Sequence, residues 1–186
     1  MWESIRQWDR ETFIYLNSLG VEQYDLFWST VTKIPVWTPL FLFFGFLLFR
    51  KYTKREALFI ILTILTMVFF VVTLTDLTKE VVARLRPNND LEINQIIRIL
   101  RSPSGYSFFS GHASSSFSIT TIVFLFLRKR FRWSFLFYLW PILFTWSRIY
   151  VGVHFPIDLI VGALVGVFSA WLFYRLYLTI ISPYTR

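Results

Sequence analysis

The chain contains two histidines, His112 and His154, and each stands among residues suited to phosphate. His112 directly follows Ser110-Gly111. His154 lies six residues after Arg148 and four before Asp158. Upstream, Lys79 and Arg86-Pro87 add further cations. Imidazole is the side chain best placed for proton transfer near neutral pH, and it is also a nucleophile. Arginine holds phosphate with a planar fork, lysine with a point charge. Two histidines beside such groups point to chemistry on a phosphate.

Each cluster has its own local logic. Lys79 and Arg86 are seven residues apart, close to two helical turns. That spacing predicts one shared helix face, extending a membrane helix past the bilayer until Pro87 ends it. Taken alone, the spacing also suits cations that snorkel to headgroups. Ser110 is a good N-cap, and Gly111 permits close backbone approach. The first N–H groups of that helix then favour an anion, with His112 beside it. Taken alone, His112 also fits a satisfied interfacial histidine. Arg148 closes one helix and His154 follows in a turn. Pro156 and Asp158 fit the first turn of the next helix. From there Asp158 can reach back to His154, fix its tautomer and leave the other ring nitrogen free. Asp158 also suits a plain helix cap. Nearby, Pro103-Ser104-Gly105 is followed by Tyr106, which cannot do histidine's work.

These clusters need a scaffold, and the composition indicates which. Of 186 residues, 55% are hydrophobic, with 22 Phe and 8 Trp, and mean hydropathy is +0.55. Soluble domains carry about 45–50% apolar residues, so the excess points to lipid. The length suits one domain, 1–186, and neither a linker nor an internal repeat divides it. With no cysteine, disulfides, thiolate catalysis and cysteine zinc sites are excluded.

The expected fold is an all-α polytopic membrane helix bundle of about five spanning helices, with room for a sixth. Apolar runs near 34–49, 57–74, 111–127, 133–150 and 157–180 supply the spans. In the last run, Gly162 and Gly166 form a helix-packing notch. Ser114, Ser115, Ser116 and Ser118 give the third run a small polar face that suits close packing. Residues 1–32 read as interfacial: an N-terminal amphipathic helix with Trp2, Ile5, Trp8 and Thr12 on one side, Arg6, Asp9 and Arg10 between them, then a short helix near 24–31. Glu3, Asp9 and Glu11 argue against a signal peptide. The transmembrane core is 33–182.

The net charge of +8 falls at the ends of apolar runs, which favours lipid contact over nucleic acid. Arg50, Lys51, Lys54 and Arg55 form one basic loop, and Arg128, Lys129, Arg130 and Arg132 another. Both lie on one side, joined by Arg175 and Arg186, and that side is expected to be cytoplasmic. The 77–110 loop and the 151–156 turn then face outward. Lys79, Arg84, Arg86, Arg98 and Arg101 also lie outside, against the charge rule. A substrate phosphate gives them a reason to be there.

Together and in order, the three clusters resemble the type 2 phosphatidic acid phosphatase (PAP2) superfamily of membrane lipid phosphatases. Its pattern is K-x6-R-P, then P-S-G-H, then S-R-x5-H-x3-D. Lys79, Arg86 and Pro87 complete the first element. Ser147, Arg148, His154 and Asp158 complete the third. Ser110, Gly111 and His112 match the second, with Phe109 where proline is usual.

The resemblance covers roughly residues 35–180 and implies a mechanism. His154 attacks phosphorus, oriented by Asp158. His112 protonates the leaving oxygen and then activates water. Lys79, Arg86, Arg148 and the N–H groups of Ser110 and Gly111 hold the phosphate. Neither metal nor cofactor is expected: Asp76, Glu80, Asp90 and Glu92 are scattered.

The expected partners are a lipid phosphate and the bilayer, with no nucleic acid. The expected location is a bacterial cytoplasmic membrane, with the site on the extracytoplasmic face. The compact form is similar to members that recycle undecaprenyl pyrophosphate. Phosphatidylglycerol phosphate, phosphatidic acid and lipid A phosphate are alternatives. The 90–107 segment reads as a lid, with Arg98 and Arg101 available to a second phosphate. A transporter or flippase of anionic lipid is the competing class, but it calls for midplane charges and paired repeats. A lipid scaffold leaves the paired histidines unexplained.

Overall fold

The computed structural model describes residues 2–184, and of Trp2 the backbone alone. Arg186, expected on the cytoplasmic side, lies outside the described residues. Seven α-helices follow in chain order: α1 Trp2–Ser18, α2 Asp25–Val31, α3 Thr38–Lys51, α4 Lys54–Val82, α5 Gly111–Leu127, α6 Leu139–Tyr150 and α7 Pro156–Leu176. Among the described residues there is no strand. By length and composition, three stretches can cross a membrane: Ile34–Lys51, Lys54–Asn89 and Pro156–Tyr184. α5 is apolar but shorter, 17 residues or about 26 Å. α6 has 12 residues. A 3-10 turn, Ser134–Tyr138, takes the first part of the run expected to be one helix.

Local chemistry sets the ends that matter. α4 starts at a capping box: Thr53 Oγ1 accepts from the Glu56 N–H, and Glu56 Oε2 accepts from the Thr53 N–H. It stops when Ala83 turns left-handed (φ 49°), with the Ala83 N–H donating to Lys79 O. The expectation that Lys79 and Arg86 share one helical face is therefore corrected. The helix ends at Val82, four residues before Arg86 and ahead of Pro87, and Arg86 is extended (φ −75°, ψ 155°). The connection that follows α4 begins at Ala83.

α5 is the central helix, packed against α4, α6 and α7. Its contact with α7 is backbone-close. A Cβ at Gly162 would stand 2.7 Å from Ser110 O, and one at Gly166 would collide with Ser114 O and lie 3.0 Å from Ser118 N. The serine face of α5 and the glycine pair of α7 thus fit each other as expected. Below this contact, Ile60, Met67, Val71, Ile122, Leu127 and Phe144 build an apolar core. Leu42, Phe46, Leu62, Phe69, Leu164 and Phe168 point outward and exposed. Lipid is the solvent that such a surface requires.

α1 is helical, and its two sides differ. Ile5 and Trp8 are exposed, while Asp9, Phe13 and Asn17 are buried. Three residues at i, i+4 and i+8 form one stripe, and that stripe faces the protein. Asn17 Nδ2 donates to Ile149 O (3.0 Å) and Arg98 O (3.1 Å), and its Oδ1 accepts from the Arg98 N–H (2.7 Å). Arg10 pairs with Asp90 and Glu92. The 90–107 segment is thus fastened to α1. It is also tied to the α6–α7 turn, through the Leu100 N–H to Val151 O (3.2 Å).

Candidate active site

The site forms where the extended segment at Arg86, the α5 N-terminus and the α6–α7 turn meet. Glycine makes the turn possible. Gly152 has φ +82°, and a Cβ there would lie 2.5 Å from Arg98 O. The turn buries His154 at 1% exposure beside Arg148 at 5% and Arg86 at 7%. Arg86 Nη1 donates to Val153 O (3.3 Å) and stands 3.0 Å from His154 Nε2. An arginine N–H can only donate, so Nε2 is the unprotonated nitrogen and Nδ1 carries the hydrogen. Nδ1 faces Asp158 Oδ2 at 3.5 Å, longer than an ordinary hydrogen bond. Burial, then Arg148, Arg86 and Lys79, hold His154 well below the ordinary imidazole range. The ring stays neutral, with its lone pair on Nε2.

Asp158 is fully buried. Its Oδ2 accepts from the Phe155 N–H (3.0 Å), and its backbone O accepts from the Ser110 N–H (3.0 Å). The second bond ties the two histidine clusters together. It also changes one expectation: the Ser110 N–H is engaged with Asp158 rather than turned to a ligand. Ser110 instead caps α5, its Oγ accepting from the Ala113 N–H (3.4 Å). The N–H groups of Gly111 and His112 remain at the helix mouth. Lys79 reaches the same mouth, since a Cβ at Gly111 would stand 3.8 Å from Lys79 Nζ. His112 stacks on Phe144, with centroids 4.9 Å apart. It lies within electrostatic reach of Arg148, His154, Lys79 and Arg86. All eight residues singled out from the sequence therefore converge at one end of the bundle.

The countercharges are unevenly placed. Among the described residues, neither Arg86 nor Arg148 has a carboxylate partner, and each keeps a buried Nε–H without an acceptor. Arg148 Nη1 donates to Thr32 Oγ1 at the end of α2. Both carboxylates at the rear of the site go instead to Arg84. Its Nη1 is 2.8 Å from Asp158 Oδ1 and its Nη2 is 2.6 Å from Asp9 Oδ2. Arg84, expected among the cations that a substrate phosphate would explain, is committed to these two carboxylates, and Asp9 and Thr32 were not read as site residues. No motif marks them, and their partners lie 74, 75 and 116 positions away. Arg98, expected to be free for a second phosphate, is bound to Asp25 (2.7 Å) and lies over the Tyr150 ring. Arg101 donates to Ser29 O (3.2 Å) and lies within electrostatic reach of Arg148. The nearby Ser104-Gly105 pair is exposed. Among the described residues, no three His, Cys, Asp or Glu gather as a metal site.

A family model described as PAP2 superfamily matches residues 57–182, about two thirds of the sequence. The chain belongs to the PAP2 superfamily. The match takes in every residue of the three clusters. A lipid A 4'-phosphatase of Bacteroides thetaiotaomicron is 30% identical over 94% of this chain and 79% of its own length. A lipid A 4'-phosphatase of Porphyromonas gingivalis is 32% identical over 95% and 75%. An undecaprenyl-diphosphatase of Sulfolobus acidocaldarius is 29% identical over 86% and 82%. The fold is similar to that of a transmembrane PAP2 type phosphatidylglycerolphosphate phosphatase from Bacillus subtilis. That crystal structure has a TM-score of 0.73 at 21% identity, covering 95% of this chain and 88% of that one. This PAP2 protein is a membrane lipid phosphatase, an enzyme of the phosphatase class.

Proposed function

We propose that the chain hydrolyses the phosphate monoester of a lipid A-type glycolipid through a phosphohistidine. The observation that carries this is the pair of buried guanidiniums, Arg86 and Arg148, that have no carboxylate of their own. Buried charge is costly unless it is paired. A phosphate dianion is the partner that fits two forks, a lysine and a helix N-terminus. The phosphate takes up the Arg86 N–H that otherwise meets His154 Nε2, which frees that lone pair.

His154 Nε2 then attacks phosphorus, and the bond from phosphorus to the lipid oxygen breaks. The bound dianion offsets Arg148, Lys79 and Arg86 around His112, so that its ring can carry the proton that passes to the leaving oxygen. The ring of His154 becomes cationic as the P–N bond forms, and Asp158 tightens on Nδ1–H to stabilise it. In the second half, His112 removes a proton from water and the hydroxyl attacks phosphorus. The P–N bond breaks, His154 returns neutral and inorganic phosphate leaves. Lys79, Arg86, Arg148 and the N–H groups of Gly111 and His112 hold the phosphoryl oxygens throughout.

A five-span reading, with α5 and the stretch 133–150 as the third and fourth, supports a site on the extracytoplasmic face of a bacterial cytoplasmic membrane. Two relatives are lipid A 4'-phosphatases, and Arg98 is engaged with Asp25. Both favour a monoester over the pyrophosphate expected from the compact form. Undecaprenyl pyrophosphate is the second reading, favoured by the relative that is an undecaprenyl-diphosphatase.

The test is phosphate release by purified protein in detergent, without added metal, across lipid A phosphate, phosphatidic acid and undecaprenyl pyrophosphate. Lipid A phosphate should be hydrolysed fastest, and His154→Ala should abolish release. Full release by that variant would refute the mechanism. A preference for soluble esters over every lipid would refute the lipid reading.

A further inference from the structure

The rear of the site is built from the first helix of the chain. Asp9 is 0% exposed, although it sits in a segment whose outer face carries Glu3, Arg6 and Glu11. Its two oxygens do different jobs. Oδ1 accepts from the Ile157 N–H at 2.8 Å. Oδ2 accepts from Arg84 Nη2 at 2.6 Å. Ile157 is the second residue of α7, and its N–H lies among the donors that a helix leaves unpaired. The residue at the N-cap of α7 is Phe155, which has no side-chain acceptor. The cap therefore comes from another helix. Asp9 of α1 satisfies the first turn of the helix that carries Asp158.

Arg84 completes the link. Its planar fork spans two carboxylates, Asp9 Oδ2 and Asp158 Oδ1, while its face lies 4.1 Å from the Phe155 ring centroid. Asp158 Oδ2 accepts from the Phe155 N–H and faces His154 Nδ1 at 3.5 Å. A carboxylate held at one oxygen can rotate about its terminal bond. Held at both, its plane is fixed. Burial pushes the Asp9 carboxyl above its ordinary range, and Arg84 and the Ile157 N–H pull it back. Asp9 thus depends on these two partners as they depend on it.

We infer that Asp9 and Arg84 are positioning residues for the nucleophile. They form a relay, Asp9–Arg84–Asp158, that fixes the carboxylate holding His154 in its Nδ1–H tautomer. Neither touches the phosphate. Arg84 is committed to two carboxylates, and Asp9 lies behind it. The inference rests on the proposed role of His154, and the experiment separates the two.

The chain has two histidines, so the imidazole nitrogens can be assigned by comparing 15N-histidine-labelled protein with its His112→Gln variant. Native His154 should show a protonated Nδ1 and an unprotonated Nε2. In Arg84→Gln and Asp9→Asn, a second set of resonances with Nε2 protonated should appear. On a hydrolysed lipid phosphate, kcat should fall by about 10²-fold in Arg84→Gln, the scale of a misplaced reacting group. In Asp9→Asn, which keeps an oxygen for Ile157, it should fall about tenfold, and KM should move by less than about threefold in both. The double variant should be no worse than Arg84→Gln, because the residues act in one line.

A single Nδ1–H form in both variants would overturn the relay, as would a loss confined to KM. If Arg84→Gln fails to fold in a melting assay, Asp9→Asn decides. A native protein that releases no phosphate from any lipid sinks the catalytic reading, while the tautomer still decides whether Asp9 and Arg84 hold His154.

Discussion

His154 is held in its neutral form by its surroundings. It is buried beneath Arg148, Arg86 and Lys79, which keep its ring neutral far below the ordinary imidazole pKa. An unfolded chain takes up that proton near pH 6.5. Between that pH and the depressed folded value, the unfolded state binds one proton more, so stability falls as pH drops. The loss approaches about 1.4 kcal/mol per pH unit. His154→Gln should remove this term. In detergent, native protein should lose more melting temperature between pH 7 and 5 than the variant does, and parallel losses would contradict the assignment. His112, His154, Asp158 and their cations were legible in the sequence because each sits at a helix end with a matching neighbour. Asp9 was not. A carboxylate between Trp8 and Arg10 reads as part of a solvated face, and no local pattern shows that Arg84 waits for it.

At the scale of elements, the α5–α7 contact is where space runs out. Gly166 faces the Ser114 carbonyl, and Gly45 of α3 has nothing within 4 Å of its missing Cβ. Gly166→Val should cost about 1–3 kcal/mol as an overpacked core and should reduce phosphate release, because α5 and α7 carry His112 and Asp158. Gly45→Val should leave melting within a degree or two of native. Equal effects would show that lipid-facing and helix-facing glycines are equivalent here. The apolar runs located most of these helices within a few residues, and α5 was read as Gly111–Leu127. Their stops were harder. Ala83 ends α4 without a glycine or proline to announce it. Leu139 starts α6 after a 3-10 turn of the same apolar character. Hydrophobicity decides that a segment enters lipid and says little about where its hydrogen bonding changes register.

Across the whole molecule, the basic loops and the histidines sit at opposite ends. The basic loops at 50–55 and 128–132 lie at one end of α3, α4 and α5. The histidines lie at the other end, His112 in the first turn of α5 and His154 in the α6–α7 turn. The chain has no cysteine, so single thiols can be placed at will. A membrane-impermeant maleimide added to intact cells should label Leu91→Cys and spare Lys129→Cys until the membrane is opened. Labelling of both from the same side would invert or break the five-span arrangement.

Asp9 and Asn17 also set an order of assembly. α1 is held by Ile157, Ile149 and Arg98, which are made well after it. It must therefore stay undocked while the later helices form, and its full set of contacts is available only once α7 has begun. Insertion of the bundle and maturation of its catalytic end are separate events. A chain arrested before α7 would sit in the bilayer with its leading helix undocked.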